Sequence, residues 1–394
     1  MQGSAGTLET AERKVLSATL RTVSLRDFRN FHRLHLDLPP EGVMIVGPNG
    51  SGKTNLLEAI YYLEIFRSFR GARDRELPRF GEDVFRIEAS VDRAGEPVEL
   101  AAAWRKSTRT KKVEVDGREP ERLSGALGTL GAVVFSLEDT ELIWGSPSAR
   151  RRFMDILLSL VEPGYVEALQ RYRAVLGQRN EALREGRLPV VRAWADGLVA
   201  PGAALMAARA AWADERNEAF GAHHAAIAGG EEARLAHAPA LGGIEPPPAG
   251  DESAWADAFR RALTANEESD VNRGMTQVGP HRDDLVIRAD VGRDAERRDL
   301  RSYGSGGQRR TAAIALRLVE ADTLADRSRV EPLYLLDDVF AELDRERSER
   351  VLELLEEGRA GQVILTAPKP MDLPIRGGAL ARWRIEDGTI LTDA

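Results

Sequence analysis

The chain has 394 residues, 43% hydrophobic and 30% charged, with a formal net charge of −8 and no cysteine. That length supports one large or two ordinary domains, and no uninterrupted apolar run approaches the roughly 18 residues of a membrane span. The lack of cysteine excludes thiolate metal sites and disulfides and fits a cytoplasmic protein. The acidic balance excludes a uniformly basic nucleic-acid binder but not a local basic surface, because charges are screened beyond about 8 Å at physiological salt.

Residues 1–18 lack the apolar core of a signal peptide and read as a flexible tail. Residues 20–25 and 32–38 alternate apolar and polar side chains, the pattern of half-buried strands. Residues 42–46 are a short apolar strand running into Gly47-Pro48-Asn49-Gly50-Ser51-Gly52-Lys53-Thr54, and 53–66 then carries leucine and isoleucine at helical spacing. This is the phosphate-loop pattern. Glycines let successive backbone N–H groups face one anion, and the helix N-terminus adds positive potential. Lys53 can reach the β- and γ-phosphates of ATP, and the Thr54 hydroxyl can ligate Mg²⁺. A chance glycine-rich turn is the competing reading; the strand before and the helix after weigh against it.

Strands are expected at 85–91, 98–104 and 131–135, with a hairpin turning at Asp116-Gly117. From 147 to 225 the chain is rich in alanine, leucine, arginine and glutamate, with breaks near Pro163, Gly186 to Pro189 and Pro201-Gly202, which predicts a set of helices. Residues 226–250 read as a loop, 255–265 as a helix, and strand character returns after about 272. The helical region is too short and interrupted for a long coiled coil.

Ser305-Gly306-Gly307-Gln308 opens a helix over 309–321 and makes a second anion cradle, or in isolation merely a good N-cap. Residues 333–338 are a buried strand ending in Asp337, placed to hold Mg²⁺, and Asp338, placed to polarise the attacking water. The pair could otherwise cap the next helix. Two cradles with one nucleotide loop are reconciled if each cradle closes on the nucleotide of another copy in a two-fold homodimer, with Asp344 at that interface. The motifs predict an α/β fold: a P-loop ATPase head of the ABC superfamily with an inserted helical second domain. The expected division is a tail at 1–18, head lobes at 19–145 and 270–394, and the insert at 146–269.

Further segments carry a resemblance. They are Arg26 to Phe31, Arg67-Ser68-Phe69-Arg70 leading to Glu76 through Gly81, and Val133 through Asp139 to Gly145 and Ser148. With them come Arg151 to Asp155, Gln178-Arg179-Asn180, Gly279 to Asp284 and Tyr303-Gly304 before the cradle. Together they make the chain resemble the RecF family of bacterial DNA replication and repair ATPases from Leu20 onward. The resemblance implies an SMC-like head without long arms, ATP-dependent dimerisation on DNA and slow hydrolysis. It implies action at single-strand gaps with RecR and RecO, helping RecA displace single-strand-binding protein. It also implies that Arg29, Asn30 and Asn55 join the ATP site. Leu137 replaces an expected proline, and Asp338 stands where most ABC proteins have glutamate. Thr366-Ala367-Pro368 supplies no switch histidine, leaving Thr366 as the nearest γ-phosphate sensor.

For DNA, Arg105, Lys106, Arg109, Lys111 and Lys112 form a run with no negative residue that can hold phosphates without reading sequence, or be only a solvated loop. Arg150 and Arg151 are a second candidate, with Arg152 assigned to pairing with carboxylates. No aromatic interleaves with the basic run, so backbone-held duplex or junction DNA is expected in place of base stacking. His281 has no second histidine at ligand spacing and is given a structural or dimer-contact role. The rival functions are a transporter ATPase subunit, which would need the switch histidine and a coupling glutamine, and an ATP-gated binding module without turnover.

Overall fold

A computed structural model describes residues 16–93, 95–290, 297–357, 361–369, 374–375 and 378–392. Of the expected tail, residues 1–15 lie outside the described residues. The first strand, Leu16–Phe28, begins inside the remainder, with Leu16 opposite Val330 and Ser17 opposite Glu331.

Two sheets clasp one helix. The first has the strand order Thr389–Thr392, Ala381–Glu386, Gly42–Val46, Val363–Ala367, Leu333–Asp337, Ala132–Ser136. Its last four strands in that order read GVMIV, VILTA, LYLLD and AVVFS, nearly continuous apolar runs of the kind that parallel strands buried on both faces require. Only the terminal Thr389–Thr392 strand runs antiparallel. The register places Ser136 beside Asp337, Asp337 beside Thr366 and Thr366 beside Ile45, so one sheet edge collects the strand C-termini. That edge is where open α/β sheets bind ligands.

The second sheet is antiparallel around Leu16–Phe28, which pairs with Phe31–Asp37 on one side and with Val84–Arg93 on the other. Glu96–Arg105 and Thr110–Val115 follow in order. Helix Lys53–Ile65 lies between the sheets and is buried on almost every side, glutamates included. The expected hairpin at Asp116-Gly117 is only an isolated bridge between Val115 and Arg118. The strands turn instead at residues 106–109, inside the basic run, with Arg105 opposite Thr110.

The middle of the chain is helical: Pro147–Val161, Tyr165–Arg184, Leu188–Ala228, Glu252–Ala265 and Glu267–Arg273. The breaks expected at Pro163 and Gly186 occur, but Pro201-Gly202 does not end its helix. Gly202 lies under the Phe259 ring, which a Cβ would overlap, and close to Tyr172. Packing on the buried pair offsets the hydrogen bond that proline removes. This helix, Leu188–Ala228, is by length and composition apolar enough to cross a membrane, unlike any run read from the sequence; half of its most apolar stretch is buried within the protein. The expected loop at 226–250 contains a strand, Ala233–Ala238, with Ala233 and Leu235 buried. It pairs with Asp284–Asp290, across the expected boundary at residue 270.

Candidate functional site

The glycine-rich loop leaves its strand with the Gly47 amide bonded to the Ala367 carbonyl. Gly50 and Gly52 have φ of 85° and 114°, and a Cβ at 52 would stand 2.5 Å from the Asn30 side-chain nitrogen. Glycine is therefore required there. Lys53 is buried and its Nζ donates to the carbonyls of Gly47 (2.8 Å) and Pro48 (3.2 Å), folding the loop around its own ammonium. Asn30 donates to the Ser51 carbonyl and Asn55 to the Asn30 side chain, so both expected site residues brace the loop from outside. Arg29 does not join them. Its guanidinium is bidentate to Glu58 at 2.8 Å, a carboxylate with no exposed surface that also accepts from the Ser68 hydroxyl.

The two carboxylates arrive from the far side of the strand that separates them from the loop. Thr54 Oγ1 donates to Asp337 Oδ1 at 3.0 Å, and Thr366 Oγ1 donates to the same oxygen at 2.8 Å. The Thr366 hydroxyl accepts in turn from the Asp338 amide at 3.1 Å. Thr366, expected as the γ-phosphate sensor, is buried and clamps the two aspartates. Asp338 takes a left-handed φ of 52° and points an oxygen to within 3.9 Å of Lys53 Nζ. Burial is the largest influence on Asp337 and raises its pKa, opposed by the two hydroxyl donors. A hard cation at Thr54 and Asp337 would relieve that cost, and the donor set is all oxygen. Among the described residues no group of three or more His, Cys, Asp or Glu could hold a metal. Two oxygen donors, Thr54 and Asp337, suit a hard cation that takes its other ligands from water and phosphate, as Mg²⁺ does.

The second cradle has a different set of partners. Ser305 caps helix Gly306–Ser328 by accepting from the Gln308 amide, while Gln308 Oε1 accepts from the Ser305 amide. Gln308 Nε2 donates to Glu231, so this member of the cradle is tied into its own chain. Gly306 is open, and Arg347 lies against Gly307 close enough that a Cβ there would clash. Arg347 also pairs with Asp344 at 3.5 Å, and Arg310 clasps the Glu342 side chain and carbonyl. Asp344, 58% exposed, and the cradle thus form one surface.

The basic candidates divide. Lys106 and Arg109 are exposed at the hairpin tip and make no ion pair among the described residues; Arg105 is a loose 3.9 Å from Asp83. Lys112 pairs with Glu114 and Glu119. Lys111 is not a free contact: it bonds the Phe66 carbonyl and Asp74, lies over the Tyr62 ring, and burial lowers its pKa. Arg150 is 2% exposed and bidentate to Asp284, so it too is structural. Arg151 donates to the Asp283 carbonyl. The carboxylate partnership expected for Arg152 belongs to Arg150, whereas Arg152 is exposed and donates to the Ser68 carbonyl. Helix phase decides this, because neighbours on a helix do not share a face. His281 accepts from Tyr172 and bonds the Thr276 carbonyl, and burial pushes its pKa down to about 4.

A phosphate loop, a carboxylate strand two places away in a parallel sheet and a remote serine-glycine cradle define the ABC/SMC-like ATPase class. The RecF/RecN/SMC N terminal domain model matches residues 19–373. The DNA replication and repair protein RecF of Salinibacter ruber is 38% identical over 362 residues, covering 89% of this chain and 85% of the relative. That of Roseiflexus castenholzii is 36% identical, covering 93% and 98%. The chain belongs to the RecF family. Solved structures of the recombination mediator RecF of the RecFOR pathway, as RecF-ATPrS and RecF-ATP, superpose with TM-scores of 0.85 and 0.84 at 28% identity. They are covered to 99% and 100%, and cover 96% and 98% of this chain. An Smc head from Pyrococcus furiosus, 17% identical with a TM-score of 0.54 and coverage of 95% of this chain and 97% of that one, shares the fold.

Proposed function

We propose that the chain is a slow, DNA-linked cytoplasmic ATPase that binds ATP and Mg²⁺, dimerises on binding ATP, and promotes recombinase loading on gapped or junction DNA. The observation that carries this reading is the meeting of Lys53, Thr54, Asp337 and Asp338 at one sheet edge while, among the described residues, Ser305 bonds Gln308 of its own helix and not the nucleotide loop. Lys53 exchanges the Gly47 and Pro48 carbonyls for phosphate oxygens. Thr54 and Asp337 would hold Mg²⁺, which when bound would neutralise charge developing on the phosphates. Asp338, fixed by Thr366, orients water and accepts its proton. Its short side chain gives slow turnover. Asn30 and Asn55 hold the loop in shape.

The exposed cradle and Asp344 supply the dimer face. Lys106, Arg109 and Arg105 supply backbone contacts to DNA, with Lys112 and Arg151 contributing less because both already have partners. The solved relatives are named for the RecFOR pathway, and the family resemblance points to RecR as the direct partner, with RecO and RecA reached through it. Sedimentation with and without ATP, on duplex and gapped DNA, tests the reading. An ATP-dependent dimer supports it; a monomer under every condition refutes it.

A further inference from the structure

An exposed phenylalanine stands beside the basic hairpin tip. Arg79 to Glu82 form a tight turn: the Glu82 amide bonds the Arg79 carbonyl at 2.9 Å, and Gly81 takes φ of 89°, as the third position of a type II turn demands. Phe80 occupies the second position and is 101% exposed, more than any other large apolar residue described. The turn is braced from below, since the Arg79 amide bonds the Asp27 carbonyl and its guanidinium pairs with Asp27 and Glu82.

The next residue after that turn locks the basic tip to it. Asp83 accepts from the Ser107 amide and hydroxyl, both at 2.7 Å, and its carbonyl accepts from the Lys106 amide. Phe80 is three residues from this clamp, at most about 10 Å of chain. Glu82 pairs with Arg79 and Asp83 lies 3.9 Å from Arg105, whereas Lys106 and Arg109 make no ion pair among the described residues. The expectation that no aromatic accompanies the basic run holds along the sequence and fails in space.

We propose that this surface binds nucleic acid in two ways, Lys106 and Arg109 holding phosphates while the Phe80 ring stacks on an unpaired or terminal base. A lone ring held out on a rigid turn gains little from water, whereas a base offers it a flat apolar face. Paired, stacked bases present no such face, so the ring favours DNA with an interruption. The proposal rests on the reading of the chain as a DNA binder.

Fluorescence anisotropy separates the two. The probes are a duplex closed by loops at both ends and the same duplex carrying a single-strand gap. Phe80→Ala is expected to weaken binding to the gapped DNA roughly 5- to 50-fold and to leave the closed duplex within about twofold, and Phe80→Trp is expected to keep the preference. Lys106→Ala with Arg109→Ala should weaken both DNAs and flatten the salt dependence by about two counterions. If the lysine–arginine variant weakens both DNAs but Phe80→Ala affects them equally or not at all, the stacking role is overturned. Loss of self-association on sedimentation, with DNA binding intact, would assign the ring to a protein partner and also overturn it. No effect of Lys106→Ala with Arg109→Ala on either DNA removes the hairpin as a DNA surface and overturns the proposal while leaving the chain a DNA binder; a wild type that binds neither DNA would refute the reading on which the proposal rests. All these side chains are exposed, so equal melting temperatures check that each variant is folded.

Discussion

Arg150→Ala separates a structural arginine from a DNA contact. The guanidinium is 2% exposed, bidentate to Asp284 at 2.6 and 2.9 Å, and donates to the Gly145 carbonyl at 3.0 Å. Truncation leaves that carbonyl and the carboxylate without their donor. Breaking a buried pair from one side costs about 3–5 kcal/mol. The Asp284 side chain is 23% exposed and keeps a bond from the Leu285 amide, so water softens the loss and the lower end, about 3 kcal/mol, applies. With about 2.1 cal/mol/K of unfolding entropy per residue, the 394-residue chain loses some 3–4 °C in melting temperature if it melts as one unit. Circular dichroism reads the melt, and anisotropy at a temperature well below it reads DNA binding. Arg150→Met with Asp284→Leu should recover more than half of the loss, because an apolar pair carries no desolvation penalty. A melt unchanged within about 1 °C, together with weaker DNA binding, would refute the reasoning.

Asp338→Asn keeps the side-chain volume and removes the base. Turnover should fall on the order of 100-fold or more while fluorescent-nucleotide binding stays within a few-fold; unchanged turnover would take Asp338 out of the chemistry. Ser305→Arg places a long cation on the exposed cradle and should abolish ATP-dependent dimerisation on sedimentation while nucleotide affinity of the monomer persists; a normal dimer would contradict this. Glu64 is wholly buried, and burial lifts its pKa to about 7 despite the bond from the Gly131 amide. Because the folded-state value is the higher one, the contribution of Glu64 to stability is full below about pH 4.5 and declines as pH rises to about 7. The decline amounts to a few kcal/mol. Glu64→Gln should remove that slope from urea titrations between pH 5 and 8, and a slope equal to wild type would assign it to other groups.

The sheet edge that gathers Lys53, Thr54, Asp337 and Asp338 was legible because it is written locally. A glycine loop, a carboxylate-tipped apolar strand and a serine N-cap each carry their signature in a few adjacent residues. What escaped depends on partners far along the chain. Thr366 is a clamp because register puts it beside Asp337, which no local pattern records. Pro201-Gly202 has the composition of a helix break, yet Phe259 and Tyr172 hold the helix together over it. Strand Ala233–Ala238 does alternate buried and less buried residues, but alanine is a weak strand former and its partner begins at Asp284. Arg150 and Arg152 were exchanged because adjacency in sequence does not fix which helical residue faces inward.

The central claim is that each nucleotide loop works with the cradle of another copy. Mixing Lys53→Ala, which keeps its cradle, with Ser305→Arg, which keeps its nucleotide loop, tests this directly. Each variant alone should be inactive. The mixture can form one intact composite site per heterodimer, so ATP turnover on DNA should return, rising with the square of concentration when dilute. Two variants that stay inactive when mixed, or a wild type whose turnover per molecule does not change on dilution below dimerisation, would contradict the account.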